Sequence, residues 1–457
     1  MGSAKLCSIP EDILIRILLC GITNEFGLGL GFTAMAFLLN ISHTNQALRR
    51  LALSTPCLWS TLSISISQYK SFYGGRDSQL KSNNIGLLSL FWLWIERSGD
   101  SLLKYKIIVY TYMQAIDDIF SLFFREKNHW RSVSILFTMK VTDVQLLGFG
   151  FRLSDMPNLQ SLELVSCGKS VLLGKNIDLS KSAQLQFLRW NRADVAHWRT
   201  VMETIHARQL TELQPEIFAK NIVDPYFLTS LGMFTNLKRF KIYVPNVSRS
   251  KIDIAWSGPP VLLPSLTLLV LTDGCGKLIK YLTTPSLVSL SICARRNEGR
   301  FVSSYLRRSS PPLEVMQLTK NYIGTDDLLL ILQEVPNLKI FSFIHQDICD
   351  AIKRISDIWS FLSVEDPSKD VLVPKLTELI YDLPDRLEND IVKEVTLLTE
   401  AVESRKRYSE HFRFYLHGAF KFSEDFPHHI KDLLYSTIEK SDAYQRHRSL
   451  TELFRIV

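Results

Sequence analysis

The chain has 457 residues, 46% hydrophobic and 11% aromatic, which excludes a largely disordered polymer because there is ample apolar surface to bury. Its net charge of +7, from 53 basic and 46 acidic residues, is spread along the chain without the clustered basic stripe of a nucleic-acid binder. Seven scattered cysteines with no Cys-x-x-Cys spacing support neither a zinc site nor a disulfide framework, and a reducing compartment fits them best.

The first element runs from Ile9 to Leu19. Pro10 suits the first helical position, and Glu11 and Asp12 place negative charge beside the helix's positive end. Ile13, Leu14, Ile17 and Leu18 then form one apolar stripe, while the two acids interrupt any secretory signal. In a second segment, Ile41 to Trp59, Leu48, Leu51 and Ala52 repeat that spacing. Arg49 and Arg50 take its wet side and Pro56 closes it. The apolar core of the stretch between, Ala34 to Leu39, is far too short to span a membrane. Helices this short enclose too little core to stand alone, so they must dock on the rest of the chain, on a partner, or on both.

The ends Ile9-Pro10-Glu11-Asp12-Ile13-Leu14 and Ala52-Leu53-Ser54-Thr55-Pro56-Cys57-Leu58-Trp59 resemble the F-box, particularly its fungal form, over roughly residues 8–65. Between them lie the insert Gly27-Leu28-Gly29-Leu30-Gly31 and Thr44-Asn45-Gln46-Ala47-Leu48, where members often carry Val-Cys-Arg-x-Trp. The resemblance implies a helical module that docks on the Skp-type adaptor of a cullin–RING ubiquitin ligase, with the remainder selecting a protein substrate. Ile9, Pro10, Ile13, Leu14, Ile17, Leu18 and Leu53 match positions that build the adaptor-facing module in the family. Trp59 is expected to tie the module to the first strand.

Ser67 to Asn84, rich in Ser, Gly and Asn, reads as a loop, and Ile85 to Ile95, with Trp92 and Trp94, as a buried helix before Glu96-Arg97-Ser98-Gly99. A repeat of apolar-x-x-apolar-x-apolar triplets spans the chain. The triplets start at Trp59, Leu102, Trp130, Leu159, Leu185, Leu210, Leu237, Leu266, Leu287, Leu313, Leu338 and Leu376. From Leu102 onward the starts fall 21–29 residues apart, except for a final interval of 38. That period is the signature of leucine-rich repeats. Pro157, Pro264, Pro285, Pro336 and Pro374 each precede the repeat Leu by two, and Pro312 precedes Leu313 directly, where a proline ends the preceding segment.

Between triplets the pattern turns helical at His197 to Ala207, Lys277 to Leu282, Arg300 to Arg308, Thr325 to Val335 and Asp350 to Leu362, with Thr325 as an N-cap. The expected fold is α/β: a small N-terminal helical module (1–65), a linker and buried helix (66–100), and an irregular leucine-rich-repeat solenoid of strand–helix units (101–385). A cap (386–457) closes it, with a helix over Leu387 to Arg407, a strand over Phe412 to Leu416 and a helix over Pro427 to Glu439. Arg405-Lys406-Arg407 reads as the solvated end of the cap helix.

In each repeat the first, fourth and sixth triplet positions point into the core, leaving the third, fifth and seventh on the opposite face. On that face Arg189, Arg239, Lys241 and Tyr243 are candidates for a partly basic patch that takes an acidic or phosphorylated peptide, the alternative being a solvated strand face.

Enzyme motifs fail. Gly168-Lys169-Ser170 ends like a phosphate-binding loop, but the Gly needed five positions earlier is Glu163. The adjacent side chains of His428 and His429 diverge, His197 and His206 lie on different faces, and Asp117-Asp118 and Asp326-Asp327 read as helix starts. The chain therefore reads as a non-catalytic substrate receptor of an SCF-type ligase, cytoplasmic or nuclear. Its partners are the adaptor, the cullin–RING ligase and a protein substrate, without cofactor, metal, nucleic acid or membrane. A scaffold with a degenerate F-box and no ubiquitin transfer is the second reading.

Overall fold

In the computed structural model the described residues are 9–24, 33–66, 89, 91–110, 115–138, 154–166, 177–193, 195–217, 225–243, 256–272, 275–293, 298–319, 323–344, 359, 362–364, 371–382, 386–387, 392–417 and 421–422. The Gly27 to Gly31 insert, the Ser67 to Asn84 loop, Gly168-Lys169-Ser170, His428-His429, most of the Asp350 to Leu362 helix and the Pro427 to Glu439 helix lie outside them. The chain divides into two compact units, Met1–Leu210 and Thr211–Val457. The fold is α/β, with thirteen parallel strands, five in the first unit and eight in the second, each set in chain order.

The first unit opens with α1 (Glu11–Asn24), α2 (Thr33–Thr44) and α3 (Gln46–Ser54). Pro10, lacking an amide hydrogen, precedes α1, and its carbonyl accepts from the amides of Ile13 and Leu14 at 3.1 Å. Asn45 caps α3, its side chain accepting from the Leu48 amide at 2.8 Å. A 3-10 turn, Pro56–Trp59, leads into β1 (Thr61–Ile66), followed by β2 (Leu103–Val109), β3 (Trp130–Phe137), β4 (Ser161–Ser166) and β5 (Phe187–Ala193). Leu62, Tyr105, Val133, Leu162 and Leu188 pair across these strands, as do Ile64, Ile107, Ile135, Leu164 and Trp190, and all are buried. This is the spacing of the triplets turned into a ladder.

The helix expected over Ile85 to Ile95 is described from 91 and continues through 98, burying Phe91, Trp94 and Ile95. It stops at Gly99, whose φ of +51° is a left-handed conformation that only glycine adopts without a Cβ penalty. Leu102, expected in the core, is 38% exposed. The two-residue alternation of β2 puts Leu103, Tyr105, Ile107 and Val109 inward, so Leu103 takes its place. Aromatic rings fill the space between β2, β3 and the Ala115–Arg125 helix, with Phe123 4.8 Å from Tyr105 and 4.1 Å from Trp130.

The second unit contains β6 (Glu212–Ile217), β7 (Arg239–Ile242), β8 (Val261–Leu262), β9 (Leu268–Leu271), β10 (Leu282–Thr283) and β11 (Ser289–Cys293). It continues with β12 (Val315–Thr319), β13 (Ile340–Ile344), β14 (Glu378–Asp382), β15 (Arg386–Leu387), β16 (Arg413–His417) and β17 (Lys421–Phe422). The short pairs β8–β10 and β15–β17 form separate two-stranded sheets. In the main sheet Leu213, Phe240, Leu269, Leu290, Met316, Phe341, Leu379 and Phe414 pair strand to strand, all buried.

A recurring turn explains the prolines. The amides of Leu159, Leu266, Leu287, Leu338 and Leu376 each donate to the carbonyl three residues back, at 3.1–3.3 Å, on Met156, Leu263, Thr284, Val335 and Val373. Pro157, Pro264, Pro285, Pro336 and Pro374 occupy the second position of these turns, where their fixed φ is already correct.

Four helices or turns lie where the triplet gaps predicted them, over Val195–Thr204, Gly276–Tyr281 (3-10), Gly299–Ser309 and Thr325–Gln333. Thr325 is not the N-cap. Gly324 takes that position, and its carbonyl accepts from the Leu328 amide at 3.0 Å. The C-terminal helix runs Val392–Tyr408, and Arg405 near its end is buried rather than solvated. Its Nε donates to the Leu362 carbonyl at 2.6 Å, Nη1 to Val373 at 3.1 Å, and Nη2 to Leu372. Burial lowers its pKa to about 10, so it stays charged at neutral pH. No helix among the described residues is long and apolar enough to cross a membrane.

Candidate functional site

Two surfaces carry the sequence-predicted residues. The first is the α1–α3 module. Ile13 and Ile17, four apart and so on one helical face, are 40% and 54% exposed, and Leu53 on α3 is 42% exposed. Leu14 and Ile9 are half-buried and Pro10 is exposed. Leu18 instead belongs to the interior of the module, with Leu38, Leu51, Ala52 and Leu58. The apolar stripe of α1 is therefore split between an inward and an outward edge.

Trp59 closes this module. Its indole Nε1 donates to the Ala52 carbonyl at 2.6 Å, and its ring meets Trp94 edge to face at 4.8 Å. The Arg97 guanidinium lies 4.5 Å from the Trp59 ring centroid. Burial holds Arg97 below the usual pKa, opposed by Glu96 and reinforced by the like charge of Arg49.

The second surface is the sheet face opposite the triplet core. In the first unit Glu163 on β4 accepts from the Ser134 hydroxyl of β3 and pairs with Arg189 of β5, whose Nη1 is 2.7 Å from Oε1. Arg189 is only 8% exposed, so its charge is already matched by a carboxylate. The expectation that it lies open on a basic patch missed Glu163, one strand away in register.

In the second unit Arg239 of β7 is exposed, with Nη1 3.5 Å from Glu212 Oε2 on β6, and the other Glu212 oxygen accepts from Gln214 Nε2 at 2.6 Å. Lys241 is buried. Tyr243 is exposed at the end of the same strand, where its amide donates to the Pro215 carbonyl at 3.1 Å. Arg239 and Tyr243 are thus the accessible members of the predicted set.

From β9 onward the same face carries buried apolar residues among its polar ones. Leu268, Val270, Ile380 and Tyr415 are buried, with Val315 and Ile340 packed against them. Polar residues share that face: Ser289 is buried, Ser291 donates to Gln317 Oε1 at 2.8 Å, and among the described residues the buried Ser342 hydroxyl has no hydrogen-bond partner. The sequence carried this signal in Leu268-Leu269-Val270-Leu271 and Leu379-Ile380-Tyr381, since an unbroken apolar run marks a parallel strand covered on both faces. Reading every strand as one-faced hid it.

Among the described residues no group of three His, Cys, Asp or Glu side chains converges as metal ligands would. On the sheet face lie matched charges in β4 with β5 and in β6 with β7, then buried apolar residues set among polar ones from β9 to β16, while aliphatic side chains are exposed on α1 and α3. No family model and no curated protein matches the chain.

Proposed function

We propose that the chain is the substrate-recognition subunit of an SCF-type cullin–RING ubiquitin ligase. The α1–α3 module docks on the Skp-type adaptor, and a leucine-rich-repeat-like solenoid holds the substrate. The observation that carries the reading is the exposure of Ile13 and Ile17 on one face of α1, with Leu53 on α3, beside Leu18, Leu38, Leu51 and Leu58, which are buried within the module. Aliphatic side chains kept in water on one edge of a helical module are what a docking partner covers. The repeat of strand, turn proline and in-register apolar ladder supports the solenoid half. The chain's contribution is positioning, since holding a substrate lysine near the ubiquitin donor makes a bimolecular step local.

A scaffold without ubiquitin transfer is the second reading. It is favoured by the middle of the module, where Asn45 and Leu48 stand at the positions of the Cys and Trp that F-box members often carry, so the Trp bulk is missing, and by the glycine-rich insert Gly27 to Gly31.

The test is a pull-down of the full chain with purified Skp-type adaptor, beside an Ile13→Asp/Ile17→Asp variant. Adaptor binding by the wild type that this variant loses, with an unchanged unfolding temperature, supports the receptor. No binding by the wild type leaves the scaffold as the better account.

A further inference from the structure

We propose that the outer surface formed by the Gly276–Tyr281 turn and the Gly299–Ser309 helix is a binding site for an acidic polypeptide segment. These two elements pack on each other and carry Lys277, Lys280, Arg300, Arg307 and Arg308 with no acidic residue in either. The helix buries Val302, Tyr305, Leu306 and Ser309, at spacings of three and four, against the core. That leaves Arg300, Ser304, Arg307 and Arg308 on the side facing away.

These cations are held in place, unlike the freely moving lysines of an ordinary wet surface. Lys280 Nζ sits 4.5 Å from the centroid of the Phe301 ring, and the Arg300 guanidinium lies 5.3 Å from the same centroid. Arg308 Nη2 donates to the carbonyls of Leu282 at 2.6 Å, Lys280 at 3.1 Å and Ile279 at 3.2 Å. Arg307 is neutralised by Glu334 at 2.7 Å.

Lys280, Arg300 and Arg308 have no carboxylate within ion-pair distance among the described residues. The nearby acids are turned to other tasks. Glu298 is buried against Gly276, and Asp327 sits against Gly299 without pairing with Arg300.

Two like charges gathered on one ring repel each other, and each cation–π contact offsets only about 0.5–1 kcal/mol of that at an exposed site. An anion placed among them converts the repulsion into attraction. Because the rings and carbonyls have already fixed the cations, little side-chain entropy remains to be lost on binding. From Arg300 to Arg307 and Arg308 is two helical turns, about 10 Å along the axis, which an extended peptide covers in about three residues. Carboxylates spaced along an extended acidic chain match that interval.

Nucleic acid fits less well. Phe301 and Tyr281 are half-buried and already carry Lys280 at 4.5 and 5.6 Å from their ring centroids, and Tyr305 is buried, so among the described residues this surface offers a base no uncovered ring to stack on.

The experiment is fluorescence anisotropy of a labelled peptide of alternating Glu and Gly, titrated with the full chain and with a Lys280→Glu/Arg300→Glu variant. Saturable binding that weakens with salt, and is lost by about tenfold or more in the variant, is the expected result. Both residues are exposed, so the variant's thermal unfolding should match the wild type and the loss cannot be ascribed to misfolding. Three results each overturn the proposal: no saturable binding by the wild type, equal affinity in the variant, or tighter binding of a single-stranded oligonucleotide of the same net charge.

Discussion

The indole N–H of Trp59 replaces a donor that Pro56 cannot supply. In α3 the carbonyl of Ala52 would normally accept from the residue four further on, but that residue is Pro56, which has no amide hydrogen. Trp59 reaches back to it at 2.6 Å, joining the end of the helical module to the turn before β1. Trp59→Phe keeps most of the ring and leaves the carbonyl unpaired, at a cost of about 1–3 kcal/mol. Amide exchange in Gln46–Ser54 should accelerate by about tenfold per 1.4 kcal/mol, with the strands of the second unit unchanged.

Glu163 and Arg189 form a largely buried pair, with side chains 19% and 9% exposed. Glu163→Gln strands the guanidinium, and about 3–5 kcal/mol of stability should be lost in chemical denaturation. A Glu163→Leu/Arg189→Leu double variant should recover most of that loss, because the desolvation cost disappears with both charges. If the double variant is as unstable as the single, the pair is not the relevant contact.

Asp155 has a φ of +62° and lies between Lys181 and Lys127. The hydrogen bond from Lys181 is the main cause holding its carboxyl below the usual range, and the same contact raises Lys181. A depressed carboxylate contributes stability that is present above the unfolded pKa and lost as pH falls through the folded one. Asp155→Asn should therefore flatten the fall in stability below about pH 4, while still tolerating the left-handed backbone. Unfolding midpoints of both proteins across that range test it.

Arg405 satisfies three carbonyls with one guanidinium, and two of them flank the strained Val373, whose φ is +46°. A β-branched residue stays in that conformation only where its surroundings over-determine it. Arg405→Met keeps much of the volume but strands the carbonyls of Leu362, Leu372 and Val373, and should lower stability by about 3 kcal/mol or more. Arg407→Met, at an exposed position, should change it by less than about 0.5 kcal/mol.

Much of the architecture was legible in order. The triplets Leu159-x-x-Leu162-x-Leu164 and Leu338-x-x-Phe341-x-Phe343 mark strand, face and register, because a parallel ladder stacks like on like and local alternation suffices to read it. The prolines marked strand starts for a reason visible only in the backbone, where they hold the second position of a repeated turn.

By itself, then, the sequence determined the strands of the thirteen-stranded sheet and, apart from Leu102, which alternate residues form the first core. The short strands β8, β10, β15 and β17 carry no triplet and were not legible. Tertiary structure alone decided what the other face became. Glu163 reaches Arg189 across 26 residues of chain, Arg405 reaches the Leu362 carbonyl across 43, and Leu268, Ile380 and Tyr415 are buried where alternation left them open. Such contacts depend on which strand or loop is carried beside which, and no local period encodes that. The sign of a surface is set the same way: Arg189 and Lys280 are both cations in the sequence, and only the presence or absence of a neighbouring carboxylate distinguishes a neutralised pair from an available charge.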